Sequence, residues 1–528
     1  MTTVNLHKFR VKYRLTRAAA GERRRLDQIL GGVVGGALED ALARAGVPAD
    51  AEVCVRRVFV PVHLRLSRAD SALSALWGEA LAQSIRRALD GGQDSLVAVF
   101  ESRAHALLDM AAGVARGDLG RAWAWKQLGL WRADERAGES EALAELVRAL
   151  AEQHERVVPL LVELAARGTL SVLARGISDE QWTTLARAAV STYGGRPLVE
   201  VSGDPGHARA VRLLNEDARR IYAASRIARA SGSRLFKRGS GSSSADAARA
   251  LATLAVLEVE PALFAAGAAG PFVDAVAALA RREAAAPASV EREDEMSAVE
   301  VELARDGVGG SDLPQSEVAA ELRRESAEGA DGQGNEDAEI VRDARQRGFT
   351  RSGGLLFLLG VLEDLGLPAE MLYHEALSRR SLRWTLQQLA LALLPLEPCD
   401  AAALAFAGLR PFDPAPAERE DAATEEELAA VRAFAARVVA GLRERLARAA
   451  RKAAQESSRE PDTELLRLSD VELIGRVCRR RAEIVADPGW FEVVMSLEEV
   501  STEVRRAGLD LDPGHVTWLG VVLRFIYE

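Results

Sequence analysis

The sequence predicts a mainly α protein: a helical body with small mixed α/β modules at its N-terminus (β-α-β-α) and C-terminus (β-α-β). Three observations carry this. Alanine, leucine and arginine dominate, and all three favour helix. Long stretches place apolar residues at i, i+3, i+4 spacing. Strict two-residue alternation, the mark of a half-buried strand, occurs only near the two ends. At 528 residues the chain exceeds what one core serves, so two to four domains are expected. An apolar share of 48% and a charged share of 28% are ordinary for a globular protein.

Phe9, Val11, Tyr13 and Leu15 alternate with basic residues and predict a first strand. A helix from about 22 to 44 is interrupted by Gly31, Gly32, Gly35 and Gly36 and stops at Gly46-Val47-Pro48. Val58, Val60, Val62, Leu64 and Leu66 predict a second strand, in which Pro61 removes a ladder donor and argues for an edge. Asp70 or Ser71 then caps a helix carrying Leu73, Leu76, Trp77, Leu81, Ile85 and Leu89.

The pattern is helical from about 95 to 230. Residues 231–244 have the glycine and serine content of a linker, and 246–282 form an alanine-rich hairpin broken by Pro261, Gly267, Gly270 and Pro271. Order resumes in an apolar helix after Thr350, and 425–454 is a long charged helix. Near the end, Asp487-Pro488-Gly489-Trp490 and Asp512-Pro513-Gly514-His515 are turn initiators. They bracket a strand at 491–495, a helix capped by Ser496 and Glu499 that stops at Gly508, and a closing strand at 521–527. The predicted divisions are 1–92 (α/β module), 93–230 (helical domain), 231–245 (linker), 246–283 (hairpin), 284–345 (acidic disordered tether), 346–460 (helical domain) and 461–528 (α/β module).

A formal charge of −10 argues against a general nucleic-acid binder. The acid is concentrated: residues 291–340 hold sixteen Asp/Glu against four Arg. Residues 1–25 hold eight Lys/Arg against one Glu, so Lys8, Arg10, Lys12 and Arg14 form a candidate basic face for a protein partner. Cys54, Cys399 and Cys478 are odd in number and far apart, as suits reduced thiols in a cytoplasm. No run of 18 apolar residues appears, which predicts no stable membrane span. Trp123, Trp125 and Trp131 are the densest aromatic group. With Trp490 and Trp518 they are candidate interface anchors, because indole buries large area at low entropic cost, although packing of a helix junction is the plainer reading.

The sequence predicts no enzyme, no metal, no cofactor and no small-molecule substrate. His154-Glu155 and His374-Glu375 lack the second histidine of a metalloprotease helix. Neither a P-loop nor a GxGxxG is present, and Ser352-Gly353-Gly354 reads as a plain helix start more readily than as an anion cradle. No Gly-x-Ser-x-Gly elbow and no Cys near His occur.

The order of features resembles the tape measure protein family of extracellular contractile injection systems, the phage-tail-like particles. The matching segments are the basic strand His7 to Leu15, the alternating Val53 to Leu64, the Gly353 to Leu367 run ending in Leu-Gly-Leu, Gly489 to Val493, and the closing Trp518 to Tyr527. Pro61 and His63 stand where that family tends to carry acidic residues. The resemblance implies a short relative, a structural or assembly protein whose partners are tail tube, baseplate or copies of itself, incorporated into a particle. The alternatives are a free-standing helical scaffold or adaptor and a nucleotide-binding regulatory enzyme.

Overall fold

The computed structural model describes residues 11, 20–48, 51–91, 96–134, 137–193, 207–235, 242–285, 345–456, 464–499 and 501–528. They are mainly α with two small sheets, as the composition and periodicity predict. The chain divides into two compact units, residues 1–149 and 150–528.

In the first unit the glycine-interrupted helix is two helices, Ala20–Gly32 and Leu38–Arg44, joined by a π-turn at Val33–Ala37. The helix Asp70–Asp90 packs across them, and Leu26, Ile29, Val33, Leu38, Leu42, Leu73 and Trp77 form their shared core. Ala69 rather than Asp70 or Ser71 holds the cap position. Asp70 is the first helical residue and accepts a hydrogen bond from Arg25 at 2.7 Å. Leu76, predicted on the buried stripe, is exposed.

The predicted strand at 58–66 is not a strand. Its odd and even positions do alternate in burial, with Val62, Leu64 and Leu66 packed on the core, but the segment joins no ladder among the described residues. Alternation reports one-sided burial, which an extended chain containing Pro61 achieves without pairing. The strand of this region is β1, Glu52–Val55, antiparallel to β2, Val97–Phe100. This pairing crosses the boundary drawn at 92, so the α/β module reaches further than the sequence indicated. The first strand, at 9–15, lies outside the described residues apart from Val11, which packs against the core.

In the second unit β3 (Gln346–Thr350), β4 (Ala482–Asp487), β5 (Trp490–Met495), β6 (Gly514–Val516) and β7 (Val521–Tyr527) form one sheet in the order β3-β4-β5-β7-β6. All neighbours are antiparallel except β5 and β7, which run parallel. The β-α-β prediction found β5 and β7 but missed β3, β4 and β6. The intervening helix is Thr502–Arg506, capped by Ser501 rather than by Ser496. One hydrophobic cluster runs from Leu355 through Phe434 and Val493 to Phe525. The divisions 346–460 and 461–528 therefore share a single core.

The glycine and serine run at 231–245 also differs from its prediction. Residues 231–235 complete the helix Arg226–Leu235, in which Ser231 is fully buried, and a second helix begins at Ser242. Residues 236–241 fall outside the described residues. The alanine-rich hairpin is present as Ser242–Val259, Ala262–Ala265 and Ala269–Ala285, broken at Pro261 as expected. Of the acidic stretch, 286–344 lie outside the described residues.

Candidate functional site

Lys8, Arg10, Lys12 and Arg14 lie outside the described residues. The tryptophans predicted as anchors mostly belong to cores. Trp123, Trp125 and Trp131 are 4%, 1% and 1% exposed, so they cannot meet a partner without unfolding their own unit. Trp125 donates its indole N–H to Asp109 at 2.9 Å, Arg121 donates to the other oxygen of Asp109 at 2.9 Å, and the Trp125 and Trp131 rings tilt together at 5.8 Å. This is the helix-junction packing that the sequence offered as the plainer reading. Trp518 is likewise buried. Trp490 alone of the five is half-buried; Arg156 and Arg524 approach its ring at 4.1 and 4.7 Å, and its indole N–H donates to Glu492.

Ser352-Gly353-Gly354 is not an anion cradle. A Cβ on Gly353 would stand 2.4 Å from Cβ of Ala482, one on Gly354 would stand 2.4 Å from the Val477 carbonyl, and the Gly353 N–H already donates to the Arg480 carbonyl. The glycines let this turn lie flat on β4 and the helix Asp470–Cys478. Among the described residues no cluster of His, Cys, Asp or Glu could hold a metal ion, and no helix is long and apolar enough to cross a membrane.

The chemistry is concentrated elsewhere in the second unit, around a cavity of about 560 Å³. Exposed His154, Arg379, Pro414 and Asp421 mark its mouth. Both Asp-Pro-Gly turns contribute to the wall, the first through Pro488 and Gly489 and the second through His515. Gly489 has φ of +70° and presses on Pro159, where a Cβ would meet the ring at 2.6 Å. Burial lowers the proton affinity of His515 against the opposing field of Glu155. The Tyr193 ring stacks edge-on against His515 at 6.1 Å, and burial raises its phenol's pKa.

Most charges on this wall are paired. Glu163 accepts two bonds from Arg167 and one from Arg410, and Arg410 also reaches Asp413. Glu260 accepts from Arg220 at 3.0 Å. The Glu258 carboxylate serves as a cap for the helix Arg226–Leu235: it accepts the Ser225 hydroxyl at 2.6 Å and the backbone N–H groups of Arg226 and Ile227 at 2.8 and 3.1 Å. Burial still pushes the Glu258 carboxyl up, against these three bonds. Arg380 grips Glu427 through two bonds of 2.7 and 2.9 Å, which hold that carboxyl down at about 2. Glu427 in turn closes a reciprocal cap with Thr424 at the start of the helix Glu425–Glu456.

Arg383 is the exception. It lies in the first turn of the helix Leu382–Leu393, where the helix dipole disfavours a cation. Its Nε is buried without a hydrogen-bond partner, and no ion pair closes on it among the described residues. It is enclosed by protein yet keeps accessible surface, because that surface belongs to the cavity. Burial lowers its pKa, against the fields of Glu258, Glu260 and Asp413. The sequence held a signal for this site that periodicity and motifs missed: Arg379, Arg380 and Arg383 crowd the N-terminus of a helix capped by Ser381, opposite to the usual charge preference.

No family model, no curated protein and no solved structure matches this chain.

Proposed function

We propose that this chain is a non-enzymatic structural or assembly protein of a phage-tail-like contractile injection system, tape-measure-like, working through protein partners: tube, baseplate or further copies of itself. One observation carries the reading. The three resembling segments of the second unit, 353–367, 489–493 and 518–527, are far apart in sequence but meet in one core. Leu355 to Leu359, Phe491, Val493 and Leu523 all lie within it, and the Phe357 and Phe525 rings meet edge to face at 4.9 Å. Segments that belong together as parts of one fold are expected to meet in this way.

The reading places the protein first in the cytoplasm and then in an assembled particle. Expressing the chain with the sheath, tube and baseplate proteins encoded beside it tests this. Assembled particles are expected to carry the chain, and its deletion is expected to abolish them or alter their length. Particles of unchanged yield and length without it, or the absence of any such neighbouring genes, would overturn the reading in favour of a free-standing scaffold or adaptor.

A further inference from the structure

We infer that the cavity of the second unit binds an organic anion, with a carboxylate or phosphate group docked on the Arg383 guanidinium, Arg226 beside it, and an apolar portion against Val162, Leu257 and Phe491. The argument begins with what Arg383 lacks. Three carboxylates lie within its field, but none closes a hydrogen bond on it: Glu258 is held by the Ser225 hydroxyl and two backbone N–H groups, Asp413 by Arg410 and its backbone N–H, and Glu260 accepts from Arg220 through Oε1 while its Oε2 is buried without a hydrogen-bond partner. Arg226 is near enough to repel Arg383, and its guanidinium makes no hydrogen bond among the described residues.

An enclosed cation with no hydrogen-bonded counterion, and a second, half-buried cation facing the same space, are costly in a fold for its own sake. An anion removes that cost. The planar guanidinium fork offers paired N–H donors that match two oxygens of a carboxylate or phosphate. Tyr193 adds a phenol that lies in the field of Arg383 and makes no hydrogen bond among the described residues. The cavity is far larger than a bare ion and falls within the roughly 300–1,000 Å³ typical of small-molecule sites, so the ligand carries a body as well as a charge.

Calorimetry and thermal melting of the full chain test this, with pyrophosphate, adenosine monophosphate, citrate and benzoate as probes and sodium chloride at matched ionic strength as the reference. Saturable binding by at least one probe, with a raised Tm, is expected; the phosphate and carboxylate arms separate the two sources of the anion. Arg383→Gln is expected to weaken that binding at least about tenfold, the loss of one charge-assisted hydrogen bond. Arg383→Lys, which keeps the charge but not the fork, is expected to fall between. Without any probe, Arg383→Gln is expected to melt no lower than the wild type, because it removes an unpaired cation. Should that variant not fold, Arg226→Gln provides the same binding comparison. The proposal is overturned if no probe binds better than chloride at millimolar concentration, if the variants bind as well as wild type, or if folded Arg383→Gln melts lower without ligand.

Discussion

Two charges, one in each unit, are held in opposite ways. In the first, Asp109 is buried and complete: Trp125 fills one oxygen and Arg121 the other, and the result fixes two indoles in a core. In the second, Arg383 is enclosed but incomplete, facing a cavity in which no carboxylate closes a hydrogen bond on it among the described residues. A satisfied buried charge specifies architecture, while an unsatisfied one beside open space points to a ligand.

The largest test of this contrast is Asp109→Ala. It strands the Trp125 N–H in the core and removes one partner of the part-exposed Arg121, so a loss of about 2–4 kcal/mol is expected by urea unfolding. A loss below about 1 kcal/mol would break the comparison on its first side.

Next is Glu427, the satisfied counterpart within the second unit. Its carboxyl sits at about 2, below an ordinary value of 4.5, so its stabilisation is present above pH 4.5 and is lost as pH falls through about 2. Glu427→Gln is expected to cost about 2–3 kcal/mol at neutral pH, a gap that closes as the pH is lowered across that window. A gap independent of pH would show that the charge is not what holds Arg380.

Smaller still is Arg524→Ala, which removes one of two cations from the half-buried Trp490 ring. About 0.5–1 kcal/mol is expected, with a change in Trp490 fluorescence. Last, the thiols: Cys54 and Cys478 are buried, one in each unit, and burial pushes both up to about 12. Only exposed Cys399 is expected to react with a thiol reagent in the native protein, and all three once urea is added. Native labelling of Cys54 or Cys478 would mean that one unit opens far more readily than its packing implies.

What the sequence disclosed depended on whether the determining forces were local. The helix stop at Gly46, the break at Pro261 and the Asp-Pro-Gly turns follow from backbone chemistry within a few residues, and the structure places all of them as expected. β3 was illegible because Gln346-Arg347-Gly348-Phe349-Thr350 carries almost no apolar alternation; it is a strand because β4 supplies the ladder. The run at 58–66 erred in the other direction, a strand pattern whose hydrogen bonds have no partner strand among the described residues. The tryptophans could be counted in the sequence but not weighed, since whether an indole lies in a core or on a surface depends on helices folded around it. The cavity was the least legible. Its walls come from eight stretches between 154 and 521, and only the crowding of arginine around Ser381 hinted at it.

The sheet order also sets a timetable. β3 ends at residue 350, yet its partner β4 begins at 482, and β5 gains its second neighbour only when β7 is complete at 527. At about 5–20 residues per second of synthesis, β3 waits roughly 7–26 s for its first ladder bond. Throughout that interval the apolar run 355–359 has no sheet to lie on.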